Sequence, residues 1–270
     1  MFTTSRFVKL CHATVLAAAV TCVAVPFNAY ATPAGAYSVA SAINKSGRQR
    51  LLSQRVVKAY CQVLLGVQPA VSQKLLQDSV NLFDTQLLEL GTMTSKPELQ
   101  QAWAKESEAW LKVRAVLQAP PSSDGVRKLN DLGDGLLETA QKLTQLLESE
   151  SGKKAGYWIN VAGRQRMLSQ RIAKFYMLKK AGIGGAEVGN GLEKARAEFL
   201  VNHDGLVAGA ANNPHIVSEL RLAKSQWNYL DMALRNEGAE QMDSVAATSE
   251  RLLDVLDRIT GMFEAAYANN

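Results

Sequence analysis

The chain has 270 residues, with 30 Lys and Arg against 25 Asp and Glu, for a formal net charge of +5. That excess is too mild for a general polyanion binder, and no stretch interleaves basic with aromatic residues, so nucleic acid is excluded as a partner. Of the three cysteines, Cys11 and Cys22 lie in the first 31 residues and only Cys61 lies beyond them. Intrachain disulfides are therefore excluded from the remainder, and core size must supply the stability.

Arg6 and Lys9 precede an apolar run from Val15 to Phe27, and Ala29-Tyr30-Ala31 puts small residues at both key positions of a cleavage site. Residues 1–31 read as a secretory signal peptide cleaved after Ala31, which predicts a soluble, exported product. An uncleaved anchor is the alternative, but the run is only about 13–17 residues and a span needs about 20. Removing the first 31 of 270 residues leaves 239 and takes away two positive charges and no negative ones, so the net charge falls from +5 to +3.

After a small, polar leader the spacing predicts a first helix over about Val39–Leu65, and Pro69 marks a turn. A second helix over about Ala70–Leu90 carries Val71, Leu75, Phe83, Leu87 and Leu90 at three-and-four spacing, with Gly91 as its expected C-cap. Pro97 opens a third helix bearing Leu99, Trp103, Trp110, Val113 and Leu117. Pro120-Pro121 breaks the chain before a fourth, about Asp124–Glu148. The same plan then recurs: helices over about Gly156–Lys180 and Ala186–Ala208, a third opening at Pro214, and a last one over about Glu237–Tyr267. No stretch alternates with period two, so no sheet is expected.

Residues 43–60 and 159–176 are identical at twelve of 18 positions at a constant offset of 116. Phe199 answers Phe83 and Leu252-Leu253 answer Leu136-Leu137 at that offset, and Trp227 answers Trp110 at 117. The chain is therefore a duplication. The expected fold is all-α, two tandem up-and-down four-helix bundles, with domains at 32–150 and 151–270. Whether residues 148–152 form a boundary or a bend in one long helix is open at this point.

Each copy packs three arginines into eight helical residues: Arg48, Arg50 and Arg55, then Arg164, Arg166 and Arg171. On a helical projection Leu52, Val56, Ala59 and Val63 share the face that enters the bundle's own core. Ile43, Gly47, Arg50, Leu51 and Gln54 share the opposite side, matched by Gly163, Arg166, Met167 and Gln170. A mid-helix glycine costs about 1 kcal/mol against alanine, which is offset where another backbone must come close. The second stripe is thus expected to be a helix contact face with one arginine at its centre.

If the two first helices meet across a pseudo-twofold axis, Arg50 and Arg166 face each other. Two guanidinium groups about 6 Å apart repel by roughly 3 kcal/mol at an effective dielectric near 20, and a small planar oxyanion between them reverses the sign. Asn44, Gln54 and Arg55, with Asn160, Gln170 and Arg171, stand close enough in sequence to complete such a shell. The plainer alternative has the arginines paired with acids on neighbouring helices. His203 and His215 are isolated and have no metal-ligand spacing, and no motif calls for a cofactor. No nucleophile–base pair or carboxylate dyad falls within a motif, so an enzyme is not expected.

The repeated Asn-x-x-Gly-x-x-Arg-x-x-Ser-x-Arg pattern resembles the signature of the NarX-like and PilJ-like N-terminal sensor domains, and its wording is closest to the PilJ-like branch. Those are periplasmic four-helix bundles of nitrate/nitrite sensor kinases and of type IV pilus chemotaxis transducers. The resemblance implies a periplasmic sensor-type binding protein in which Arg50 and Arg166, three residues after Gly47 and Gly163, hold a small oxyanion across an internal pseudo-dimer or a homodimer. It equally admits a ligand-free module whose glycine–arginine stripe docks an acidic helix of a membrane receptor, sensor kinase or pilus component.

Overall fold

In the computed structural model, residues 38–268 are described, apart from 153, 237 and 239; the expected signal peptide lies outside the described residues. Among them, eight helices follow in order: α1 Val39–Leu65, α2 Pro69–Met93, α3 Pro97–Leu117, α4 Ser123–Ser151, α5 Lys154–Lys180, α6 Gly185–Gly209, α7 Pro214–Arg235 and α8 Gln241–Ala268. Local chemistry sets the ends. Ser38, Ser122 and Asn213 cap α1, α4 and α7 by accepting from the backbone N–H three residues on. Pro69, Pro97 and Pro214 occupy first-turn positions, where the missing N–H is not needed.

Three sequence expectations shift, and one open point is decided. Gly91 is no cap, because α2 runs on to Met93; a Cβ there would stand 2.9 Å from the Trp103 ring, so the glycine makes room for an indole instead. Val71, placed on the core stripe, is 61 % exposed, because the buried face of α2 runs through Ser72, Leu76, Val80 and Phe83 and leaves Val71 beside it. The last helix begins at Gln241 rather than Glu237. The boundary is a true break: Gly152 ends α4 in the left-handed region at φ 57°, which interrupts any continuous helix.

In each copy the first helix packs between the second and fourth, and the third closes on the fourth. Phe83 stacks on Trp110 at 3.9 Å in the first copy, and Phe199 on Trp227 at 4.3 Å in the second. The broadest helix contact of all is α1 against α5, between the copies. Both helices run antiparallel to α4: Ser46 meets Thr144 and Gln54 meets Gly133 from α1, while Asn160 meets Glu148 and Lys174 meets Asp134 from α5. The two motif helices are therefore parallel and in register, each flanked by the last helix of both copies. This is why α1 is buried on nearly every side between Ala40 and Gln62.

The crossing point is Gly47 over Gly163. A Cβ on Gly47 would lie 3.8 Å from the Gly163 Cα, and one on Gly163 would lie 3.7 Å from the Gly47 Cα. A Cβ on Gly163 would also stand 3.1 Å from the Arg50 side chain. Gly163→Val is therefore expected to wedge the copies apart and cost about 1–3 kcal/mol. The same change at Gly189, which has open space around it, should be neutral or slightly stabilising, because valine is the better helix former. Equal losses in chemical denaturation would contradict the close-approach role.

Candidate functional site

Arg50 and Arg166 are the largest fully buried side chains, both at 0 % exposure. Helical side chains lean toward the N-terminus, so each reaches back across the glycine of the opposing helix. The Nη2 atoms of Arg50 and Arg166 stand 3.1 and 3.4 Å from one point, the Cβ position of residue 163. The two guanidinium groups are thus close neighbours. Arg50 Nη2 donates to the Asn160 carbonyl at 3.1 Å and its Nη1 to the Gln141 side chain at 2.6 Å. Arg166 Nη2 donates to the Asn44 carbonyl at 3.1 Å and the Asn44 side-chain oxygen at 2.7 Å, and its Nη1 to Asp257 at 2.5 Å. The Nε of both is buried with no acceptor.

The other motif cations are ion-paired, and most reach the last helix of the other copy. From α1, Arg55 and Lys58 share Glu250 while Arg48 meets Asp257, all on α8. From α5, Lys174 meets Asp134 of α4 at 2.9 Å, and Arg171 reaches it at 3.8 Å. Asn44 donates to Glu264 and Asn160 to Glu148, in the same crossed sense. Gln54 and Gln170 bond instead to the carbonyls of Gly133 and Ser249, each inside its own copy. The structure therefore joins Asn44, Gly47, Arg50, Asn160, Gly163 and Arg166 in one cluster. It places Gln54, Arg55, Gln170 and Arg171 at neighbouring contacts with partners of their own.

Sequence reasoning missed the acidic side of this arrangement. Asp134, Gln141 and Glu148 on α4 are seven residues apart, as are Glu250, Asp257 and Glu264 on α8, so each set forms one stripe along its helix. The two sets match at the offset of 116, the same shift that revealed the motif. Applied to the last helices, it would have exposed both stripes and their one break in charge, Gln141 opposite Asp257.

That single difference has electrostatic consequences. Asp257 accepts from both Arg48 and Arg166. At the corresponding corner Gln141 carries no charge, and Arg164, the counterpart of Arg48, pairs with Glu198 on α6, where the first copy has Leu82. Arg50 is left with an amide and a carbonyl. Burial first, then the charges of Arg164 and Arg166, pull its guanidinium down to about 9. Burial pulls Arg166 down to about 10, with Asp257 working against it. Burial pushes the Glu250 carboxyl up, but the charges of Lys58 and Arg55 outweigh it and hold it at about 2.

The family model described as the type IV pili methyl-accepting chemotaxis transducer N-terminal domain, PilJ, matches residues 34–131 and again residues 147–251. The chain belongs to the PilJ family. No curated protein and no solved structure shows a match to it. The two PilJ matches begin ahead of α1 and α5 and take in both glycine–arginine segments. The duplication seen at the offset of 116 is thus a tandem pair of PilJ domains, folded against each other. The family is that of a sensory domain of chemotaxis transducers. Among the described residues no helix is long and apolar enough to cross a membrane.

Proposed function

We infer that this chain is a periplasmic sensor-type binding protein, exported by its signal peptide, that holds a small oxyanion where Arg50 and Arg166 cross. The observation that carries this reading is a local surplus of buried donors at two adjacent guanidinium groups, with Glu148 and Glu106 acting on Arg50 only through space. Two buried Nε–H groups lack acceptors, and Arg50 has no carboxylate hydrogen-bonded to it, because Gln141 stands where the other half has Asp257. An unsatisfied buried donor costs about 1–3 kcal/mol, and a planar oxyanion accepting from guanidinium edges removes that cost and the repulsion together. Binding at the α1–α5 contact would change how the two copies pack, and a partner can read such a change.

Thermal unfolding tests the reading. Nitrate, nitrite and formate, each compared with chloride at equal ionic strength, are the probes. A bound anion at 100 times its dissociation constant adds about 2.7 kcal/mol, roughly 5–10 °C for a chain of this size. Gln141→Asp is expected to raise the melting temperature without added anion and to abolish the response, because its carboxylate supplies the charge. Absence of a shift with all three anions, or an undiminished shift in Gln141→Asp, overturns the oxyanion site.

The alternative expectation, that the glycine–arginine stripe docks an acidic helix of a partner, loses its site to the chain's own ion pairs. The acidic helix that the glycine–arginine stripe calls for is present within the chain, as α4 for one copy and α8 for the other. The stripe is covered on both sides, so a receptor or pilus partner would have to dock on a different face.

A further inference from the structure

The two copies differ on the outward side of their third helices. Trp110 and Trp227 fix the alignment of α3 with α7 at 117, since each stacks on the equivalent phenylalanine. At that offset Leu222, Tyr229 and Met232 of α7 correspond to Lys105, Lys112 and Ala115 of α3. Leu222 is 40 % exposed, and Tyr229 and Met232 are each 53 % exposed. With Ser225 and Asn236 they follow three-and-four spacing, so they form one continuous outward ridge about four turns long. Nothing in the second bundle's core needs these side chains, and the first bundle does without them.

Beside the ridge runs an open groove of about 520 Å³ between α7 and the start of α8, floored by Ala233, Ala247 and Thr248. Its charges are separated along its length. Glu240 and Asp243 stand at the end where α8 begins, and Arg251 lies further along α8. Arg221 is exposed on α7 next to Leu222, at the end of the ridge away from Glu240, and neither arginine has an ion-pair partner among the described residues. The nearby Asp231 and Glu219 are already paired, with Arg196 and Arg235 and with Arg258. In the first copy the positions of Ala247 and Arg251 hold Asp131 and Gly135, so neither the apolar floor nor the far arginine is repeated.

We propose that the α7–α8 face is a docking surface for one amphipathic helix of a partner protein, basic at its end over Glu240 and Asp243 and acidic at its end over Arg221 and Arg251. An apolar stripe at three-and-four spacing on that helix packs on Leu222, Tyr229 and Met232, as in helix-in-groove recognition. The separated charges set its direction along the groove and disfavour the reversed one. The proposal rests on this surface alone and is independent of the oxyanion site.

Two 18-residue helical peptides with the same leucine stripe test it. One carries lysines in the half that meets Glu240 and glutamates in the half that meets Arg251, and the other has the two halves exchanged. Binding to the full mature chain is read by fluorescence anisotropy of a peptide label. The matched peptide is expected to bind at least tenfold more tightly than the exchanged one. Leu222→Lys/Tyr229→Lys/Met232→Ala, which installs the residues of α3, should abolish that binding with no loss of helicity or melting temperature. Equal affinity for the two peptides, unchanged binding by the triple variant, or no binding of either overturns the proposal. A ridge-dependent dimer of the chain in sedimentation, one that the matched peptide does not dissociate, overturns it in favour of a second copy.

Discussion

Asp257→Ala is expected to cost about 3 kcal/mol of folding stability. Among the described residues Asp257 is the one carboxylate bonded to the fully buried Arg166, and it also accepts from Arg48 on the other copy. Removing one partner of a buried pair costs about 3–5 kcal/mol, because a desolvated charge is left behind. Asp257 itself is 43 % exposed, so water softens the loss and the low end applies. Gln141→Ala, at the matching position, removes one neutral acceptor from Arg50 and should cost only about 1–2 kcal/mol. Urea unfolding of both variants checks the pair of values. A loss at Gln141 equal to that at Asp257 would mean that the charge asymmetry carries no energy.

Glu106→Gln is expected to stabilise the protein, and more so as the pH rises. Glu106 sits one turn before Trp110 on α3 and is 0 % exposed, and neither carboxylate oxygen has a hydrogen-bond partner. Burial pushes its carboxyl up to about 8, with the charge of Arg50 pulling the other way. A carboxyl whose folded pKa is raised binds its proton more tightly when folded. The folded state is therefore penalised progressively as pH rises from the unfolded value near 4.5 to about 8, and the penalty is constant above that. At pH 7 the difference amounts to about 3 kcal/mol. Glutamine keeps the shape without the proton, so its advantage should be near zero at pH 4 and fully developed by pH 8. A variant whose stability follows the parent across that range would show that Glu106 is not the group responsible. The second copy has Ala223 at this position, so the effect belongs to the first bundle alone.

The charged cluster and Glu106 were legible to different degrees. Gly47, Arg50 and their counterparts stood out, because glycine and arginine on one helical face have no reason to be solvated. The projection placed them at a contact, and the Gly47–Gly163 crossing is that contact. The anion between the arginines remains a proposal, since each guanidinium in fact reaches the opposing asparagine carbonyl. Glu106 gave no warning: a lone glutamate on a helix reads as solvent-facing until the packing of its neighbours is known.

The sequence by itself determined the helices, the duplication, the family and the face that carries the arginines. These depend on local spacing, capping and self-similarity, all of which a one-dimensional pattern records. Only the tertiary structure decided that the copies pack through α1 and α5, and which acid meets which cation. Ion-pair partners lie as far apart as Lys58 and Glu250, or Arg48 and Asp257. Such pairings depend on how two helical surfaces are docked, and the side-chain pattern of either helix is the same whichever neighbour it meets.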